Sequence, residues 1–176
     1  FRLMNIVLIG MRGSGKTTVG KLLAEKLGRK FIEMDELIAQ RAGQSIPDIV
    51  TQHGWEKFRD IEAEVTRMVA KLNNVVSATG GGVVTREENI RELKRKGKLV
   101  WLKADAATLL RRIGDSQSRP SLTGKLPQEE LTTVLAERTP IYQRVADVTI
   151  DTEGKSPEQL AEAIARLYSE EGWADD

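Results

Sequence analysis

Short apolar runs alternate along the chain with longer amphipathic stretches, a pattern typical of a parallel sheet covered by helices. The second predicted strand ends at residue 34, and Asp35 directly after it is predicted to cap the helix that follows. No repeat or linker divides the chain, so we expect residues 1–176 to form a single α/β domain. The predicted strands are residues 4–9, 31–34, 75–78, 98–102 and 148–150. Besides the helix after Asp35, the predicted helices are residues 16–27, 55–72, 105–113, 128–144 and 157–170.

Residues 114–127 break this alternation, because they are polar and rich in Ser, Arg, Pro, Gly and Lys. A connection of this length without its own secondary structure is unusual in a compact domain and is most often an active-site lid or a disordered segment. We interpret it as a mobile lid.

Composition excludes several classes of function. The formal net charge is +1, so no global field favours binding to nucleic acid or to a membrane, and no apolar run is long enough to span a bilayer. The chain has no cysteine, which excludes disulfides and thiolate metal sites and fits a reducing cytoplasm. Any anion that this protein binds must therefore be held by a local cluster of cationic groups.

The segment between the first strand and the first helix carries the strongest motif. Residues 10–17 read GMRGSGKT and match G-x-x-x-x-G-K-[ST] in full, between a buried strand and a helix. In such a loop, which we call the P-loop, backbone N–H groups and the helix N-terminus surround the phosphates. Lys16 is expected to reach the β- and γ-phosphates and Thr17 to ligate Mg²⁺. The candidate nucleotide-binding residues here are Gly13, Ser14, Gly15, Lys16, Thr17 and Thr18.

The P-loop predicts binding of a nucleoside triphosphate but not the reaction, since GTPases, motor ATPases and metabolite kinases share it. No N-K-x-D guanine signature is present, and the chain is too short for a helicase or transporter ATPase core. It also lacks the aromatic and basic stripe of a nucleic-acid track. A small kinase remains, and its sequence should contain an acceptor pocket and a cationic clamp.

Further polar and glycine-rich elements could supply the acceptor pocket and the cationic clamp. In chain order the elements are Glu33-x-Asp35, Phe58-Arg59-x-x-Glu62, Thr79-Gly80-Gly81-Gly82, Arg119-Pro120 and Arg138-Thr139-Pro140-Ile141-Tyr142. Taken alone, the spacing of Arg59 and Glu62 would also fit an ordinary ion pair on a helix surface.

In this order the elements resemble the shikimate kinase family, and the resemblance runs nearly end to end. It implies a nucleoside-monophosphate-kinase-like fold: a five-stranded parallel sheet of order 2-3-1-4-5, flanked by helices and carrying a mobile lid. It also implies transfer of the γ-phosphate of ATP to the 3-hydroxyl of shikimate, with Mg²⁺, in cytoplasmic aromatic amino-acid biosynthesis. We expect a monomer, because no apolar interface stripe is evident.

The resemblance implies that the acceptor is bound mainly within residues 33–62. Arg59 and Arg138, with the N–H of Gly81, would hold the shikimate carboxylate, because two guanidiniums suit a planar carboxylate. Asp35 would bind hydroxyls and act as the base or orienting group for the 3-hydroxyl. Glu62 would bind another hydroxyl and brace Arg59. The neighbouring Gly80 and Gly82 complete the expected substrate-binding set.

For the nucleotide, the resemblance implies that Arg119 of the lid approaches the γ-phosphate and acts in catalysis with Lys16 and Asp35. Arg112 would stack on adenine, and the segment around Ser156 and Pro157 would form the other side of the adenine slot.

Two positions depart from the family pattern. Glu33 stands where the family usually has Asp; a longer carboxylate can still reach Mg²⁺ through water, beside Thr17. The lid reads Arg-Pro-Ser-Leu where the family often has Arg-Pro-Leu-Leu. Three alternatives stay open at this point: a gluconate kinase, an adenylate or cytidylate kinase, and a nucleotide-binding regulatory module without turnover.

Overall fold

The five predicted strands pair into one sheet. In the computed structural model, which describes residues 4–113 and 127–173, the strands are β1 (Asn5–Ile9), β2 (Lys30–Glu33), β3 (Val75–Ala78), β4 (Gly97–Lys103) and β5 (Val148–Asp151). All neighbouring strands run parallel and their order is β2-β3-β1-β4-β5. The predicted strand order is therefore confirmed.

Helices cover both faces of this sheet, because alternate residues of each buried strand point to opposite sides. The helices are α1 (Lys16–Leu27), α2 (Met34–Ala42), α3 (Ile46–Ala70), α4 (Glu87–Lys96), α5 (Ala106–Ile113), α6 (Pro127–Val145) and α7 (Pro157–Glu170). In β1, Ile6 and Leu8 pack into one apolar cluster with α1 and α7, whereas Val7 and Ile9 pack into another with α3, α4 and α6. None of the helices in the described ranges has the length and apolar character needed to cross a membrane.

The segment between β3 and β4 contains two elements that the sequence pattern did not predict. A short 3₁₀ helix (Val83–Thr85) is followed by α4. The buried hydrophobic residues of α4 are Ile90 and Leu93, and its other positions are mostly charged. Two apolar residues in ten give too weak a helical period to recognise in a single sequence.

The helix predicted at 55–72 is the second part of a longer one. Ser45 caps α3 by accepting a hydrogen bond from the Asp48 N–H, and the helix is interrupted at Gly54, which has φ 86°. The first part of α3 escaped prediction because Gly43, Ser45 and Pro47 read as turn residues.

The prediction that Asp35 caps α2 is wrong. The helix begins at Met34, so Glu33 occupies the capping position with extended backbone angles, and its Oε1 accepts the N–H of Asp35 at 3.1 Å. Strand β2 ends one residue earlier than its apolar pattern predicted. Asp35 therefore lies in the first turn of α2, where its carboxylate is not used as the cap.

The P-loop follows β1, the Glu33–Asp35 pair lies where β2 ends, and Gly80–Gly82 follows β3. Parallel strands present their carboxyl ends at one edge of a sheet, which is where ligands bind in open α/β folds. The topology therefore brings three separate motifs to the same edge.

Candidate functional site

The P-loop turns sharply between β1 and α1 at two glycines with left-handed backbone angles. Gly13 has φ 88° and Gly15 has φ 98°. A Cβ on Gly13 would also lie 2.9 Å from Cγ1 of Ile113, so a larger residue there would both strain the backbone and displace α5. Glycine at position 13 is therefore required by the loop itself.

Lys16 lies back over this loop and is almost buried, with 9% of the residue exposed. Its Nζ donates to the carbonyl of Gly10 at 2.5 Å and to that of Met11 at 3.0 Å. These two bonds hold the ammonium group at the mouth of the loop, next to the N-terminus of α1. The partial positive charge of the helix end adds to that of Lys16, so this position attracts anions.

A cleft of about 370 Å³ extends from the P-loop toward α5 and α7. Arg112 crosses its rim, with Nη1 3.2 Å from the carbonyl of Ser14 and 3.4 Å from Oγ1 of Thr152. We call this space the nucleotide cleft; it is lined by Gly13, Ser14, Gly15, Thr18, Val19, Arg112, Lys155, Pro157 and Leu160.

Thr17 and Glu33 meet on the other side of the P-loop. The Thr17 hydroxyl donates to Oε2 of Glu33 at 2.6 Å. Partial burial raises the pKa of Glu33, although the hydrogen bonds from Thr17 and from the Asp35 N–H oppose that rise. A hydroxyl and a carboxylate thus stand together beside the phosphate-binding backbone.

The Arg59–Glu62 pair is not a surface ion pair. Nη1 of Arg59 lies 2.8 Å from Oε1 of Glu62, and the side chains are only 14% and 1% exposed. The guanidinium also stands 5.1 Å from the ring centroid of Phe58 and 5.7 Å from that of Trp55. Helical i,i+3 spacing brings the two charges together, and the aromatic wall holds Arg59 in a partly dry position.

Residues 80–82, which we call the glycine loop, receive this arginine. A Cβ on Gly82 would overlap the guanidinium of Arg59, and a Cβ on Gly81 would lie 2.9 Å from Nη1 of Arg138. Only a residue without a side chain allows both arginines to approach the backbone this closely. The loop thus joins α3 and α6, whose arginines are far apart in sequence.

The two guanidiniums are close enough to affect each other. The pKa of Arg138 is lowered, mainly by burial and also by the positive charge of Arg59, while Tyr142 and Glu62 oppose the shift. Two cations and one carboxylate leave a positive charge in a poorly solvated position. A small carboxylate anion would neutralise this charge with bidentate hydrogen bonds.

The glycine loop also touches the P-loop. The same Cβ position on Gly81 lies 3.5 Å from the backbone N of Arg12 and 3.5 Å from the carbonyl of Gly10. The two arginines and the P-loop are therefore adjacent, with the backbone of the loops that follow β1 and β3 between them.

The remaining predicted residues are distributed as follows. Asp35 is half-buried at the start of α2, at the same sheet edge as the P-loop. Gly80 is buried, and its carbonyl accepts the Val83 N–H at 3.2 Å. Arg119 and almost all of the predicted lid, residues 114–126, lie outside the described residues.

Two residues of the site were missed by the sequence reasoning. Lys155 lines the nucleotide cleft; its place just before Ser156 and Pro157 was the available signal. Tyr142 is fully buried and donates its hydroxyl to the carbonyl of Gly81 at 2.6 Å. The tyrosine was part of the quoted motif, but no spacing rule predicted that it would contact the glycine loop.

The chain is similar to known proteins both in sequence and in fold. The family model described as shikimate kinase matches residues 12–168. A shikimate kinase from Thermodesulfovibrio yellowstonii is 43% identical over 164 residues, which cover 93% of this chain and 94% of that protein.

Among solved structures, the shikimate kinase from Acinetobacter baumannii in complex with shikimate superposes with a TM-score of 0.92 at 37% identity. The match covers 96% of this chain and 94% of that one. A gluconokinase from Sinorhizobium meliloti also superposes, covering 96% of this chain and 94% of that one, but with a TM-score of 0.59 and 22% identity, which shows a shared fold alone. The chain therefore belongs to the shikimate kinase family.

Proposed function

We propose that this protein transfers the γ-phosphate of ATP to the 3-hydroxyl of shikimate, giving shikimate 3-phosphate and ADP. The observation that carries the proposal is the position of the glycine loop. It contacts the P-loop backbone on one side and the arginines of α3 and α6 on the other. An acceptor held by its carboxylate between those arginines would lie next to the nucleotide phosphates.

On the acceptor side, Arg59 and Arg138, together with N–H groups of the glycine loop, hold the carboxylate of shikimate. We call this set the acceptor clamp. Its support is the burial of both arginines and their contact with Gly81 and Gly82. Glu62 fixes Arg59 and accepts a ring hydroxyl. Asp35, in the first turn of α2, orients the 3-hydroxyl and accepts its proton as the phosphoryl group is transferred.

On the nucleotide side, the P-loop N–H groups and Lys16 hold the β- and γ-phosphates. Arg112 and Pro157, which both line the nucleotide cleft, enclose the adenine. Arg119 is assigned to the γ-phosphate by the family pattern alone, since it lies outside the described residues.

The donor set near the P-loop fits Mg²⁺. This ion keeps several waters and takes substrate phosphates with one or two protein ligands, so a large acidic cage is not needed. Within the described ranges no cluster of three metal-binding side chains occurs, whereas Thr17 and Glu33 lie side by side. Thr17 would ligate the ion directly and Glu33 through water. When bound, Mg²⁺ would neutralise charge on the phosphate oxygens.

Phosphoryl transfer makes little demand on covalent catalysis by the protein and depends on positioning and charge stabilisation. The residues described above provide both: backbone N–H groups and Lys16 face the transferring group, while the acceptor clamp fixes the attacking molecule. The buried walls around Arg59 and Arg138 also keep water away from the acceptor, so that transfer to the hydroxyl is favoured over hydrolysis.

We also propose that the protein acts as a cytoplasmic monomer that binds neither nucleic acid nor membrane. The large hydrophobic residues exposed in the described part of the chain are Met68 and Leu72, which is too small an apolar surface for a stable interface. Light scattering at micromolar concentration tests the monomer, and a dimer mass would contradict it.

The decisive experiment measures ADP release from ATP and Mg²⁺ with shikimate, gluconate, AMP or no added acceptor. Turnover is expected with shikimate alone. Turnover with gluconate or AMP instead would contradict the assignment of the acceptor clamp to a carboxylated ring. Turnover that does not depend on an acceptor would favour a nucleotide-binding module over a kinase.

A further inference from the structure

Tyr142 is the largest fully buried side chain among the described residues, and its hydroxyl nevertheless has a hydrogen-bond partner. Its ring stacks on Trp101, with ring centroids 5.4 Å apart, and its hydroxyl donates to the Gly81 carbonyl at 2.6 Å. Phenylalanine would supply the same stacking surface without the cost of burying a hydroxyl. The presence of tyrosine therefore indicates that the hydrogen bond has a role in holding the glycine loop.

This hydrogen bond fixes one peptide plane of the glycine loop. The peptide is trans, so the Gly81 carbonyl and the Gly82 N–H belong to one rigid plane and point in opposite directions. With the carbonyl held by Tyr142, the Gly82 N–H must face away from α6. Glycines have no side chain to restrict such a plane, so an external anchor has a large effect on its orientation.

The neighbouring carbonyls are held differently. Gly80 accepts the Val83 N–H, and Gly82 accepts both the N–H and the hydroxyl of Thr85, at 3.0 and 2.6 Å. These bonds close short turns within the segment itself. The bond from Tyr142 instead connects the loop to α6, which also carries Arg138.

Tyr142 and Arg138 are one helical turn apart, so their side chains lie on the same face of α6. Burial raises the pKa of the Tyr142 hydroxyl to about 12, and the charge of Arg138 and a hydrogen bond with it oppose that rise. The hydroxyl therefore stays protonated at neutral pH and can donate to the Gly81 carbonyl.

We propose that Tyr142 is a positioning residue of the acceptor site, whose hydroxyl sets the Gly81–Gly82 peptide relative to Arg138 and thereby the fit of the substrate carboxylate. The inference rests on the proposed function, because it assumes that the acceptor clamp holds a carboxylate. Tyr142 itself does not touch the substrate; it acts through the backbone of the glycine loop and the guanidinium beside it.

The test compares Tyr142→Phe with Tyr168→Phe, the same chemical change at the other tyrosine of the chain, which packs in α7 on the opposite layer. Each enzyme is assayed with shikimate and with shikimate methyl ester, whose neutral ester cannot pair with two guanidiniums. In Tyr142→Phe we expect KM for shikimate to rise about tenfold, with KM for ATP unchanged, the size of one hydrogen bond at a charged site. The preference of kcat/KM for the acid over the ester should fall by a similar factor.

The ratio of the two substrates is measured on one preparation, so a partly unfolded sample does not change it. Tyr168→Phe should keep the wild-type ratio even if it melts at a lower temperature. A wild-type ratio in Tyr142→Phe overturns the positioning role and leaves the acceptor clamp intact. If the wild-type enzyme itself fails to prefer the acid, the acceptor clamp is wrong and this inference fails with it.

Discussion

The proposed nucleotide side and the proposed acceptor side of the site hold their cationic groups in different ways. On the nucleotide side, Lys16 is held by carbonyls of its own loop, those of Gly10 and Met11. On the acceptor side, Arg59 comes from α3 and Arg138 from α6, and the two meet only across the glycine loop. The first arrangement is local in sequence, whereas the second exists only once the sheet and its helices have assembled.

This difference has a physical consequence for how each side responds to change. A movement of a distant helix has little effect on the geometry of the P-loop, because the hydrogen bonds of Lys16 join residues that are close in sequence. The acceptor clamp depends on the relative position of three elements, and small displacements of buried charges there change their mutual interaction strongly. We therefore expect substitutions on the acceptor side to alter affinity for shikimate selectively, and substitution of Lys16 in the P-loop to lower the rate of transfer strongly.

The largest effect is expected for Lys16→Ala. Removing the ammonium group from the mouth of the P-loop should lower kcat by about a thousandfold, the usual scale for loss of one preorganised charge at a transition state. Lys21→Ala, at an exposed position of the same helix, is the matched control and should keep wild-type kcat. Steady-state kinetics with a thermal melt of each variant measures both; retention of a tenth of wild-type kcat by Lys16→Ala would contradict the assignment.

The same contrast explains what could be predicted from the sequence. The P-loop is contiguous, so its pattern and its place between a strand and a helix identified it from the residues alone. The acceptor clamp comes from three separate segments, and only the resemblance to a family connected Arg59 with Arg138. The contact between Tyr142 and Gly81, and the helix α4 with its two buried hydrophobic residues, depend on tertiary packing that no local pattern records. Asp35 was misassigned as a cap because α2 begins at Met34, directly after β2, so that Glu33 at the end of the strand occupies the capping position.

The next effect in size is expected for Arg138→Ala. Removing one guanidinium from a buried clamp should raise Kd for shikimate by about a hundredfold, since truncating one partner of a desolvated charge pair costs several kcal/mol. Kd for ATP should stay within about twofold, because the local P-loop does not depend on α6. Titration calorimetry with each ligand measures the two constants.

Arg144→Ala is the control on the same helix. Its side chain is 59% exposed and pairs with Glu87 at 3.4 Å, away from the glycine loop. Wild-type affinity for shikimate is expected there. Equal losses in both variants would mean that α6 had been destabilised as a whole and that the acceptor clamp had not been tested selectively.

A smaller effect is expected for Gly82→Ala. Gly82 has φ −94°, which alanine adopts readily, so the backbone is not strained. The new methyl group would meet the Arg59 guanidinium, which is the flexible end of a long side chain and must move away from Glu62. Because the charge is displaced but not removed, KM for shikimate should rise only about tenfold.

Gly28→Ala separates affinity from stability. Gly28 ends α1 with φ 66° and has open space around it, so alanine there strains the backbone by roughly 1 kcal/mol without touching the site. A lower melting temperature with unchanged KM is expected. If Gly82→Ala likewise changed only the melting temperature, the contact between Arg59 and the glycine loop would have no role in acceptor binding.

The smallest effect is expected in the pH dependence of the unfolding free energy, through Glu33 on the nucleotide side. Burial raises the pKa of Glu33 above its usual 4.5, so the folded protein binds this proton more tightly than the unfolded chain does. The stabilising contribution of Glu33 is therefore complete below the unfolded pKa and is lost as pH rises through the folded pKa. Glu33→Gln cannot ionise, so the unfolding free energy of the wild type minus that of the variant should decrease from pH 4.5 toward neutrality.

Glu162→Gln gives a control of opposite sign for this pH dependence. Glu162 accepts a hydrogen bond from Lys26 at 2.6 Å, which lowers its pKa, so its contribution appears above the unfolded pKa and is lost as pH falls. Urea unfolding at a series of pH values should therefore show slopes of opposite sign for the two variants. A flat or rising difference for Glu33→Gln would mean that Glu33 is not desolvated. If the slope is as expected, adding Mg²⁺ and ATP should reduce it, because a cation held beside Thr17 would favour the ionised carboxylate.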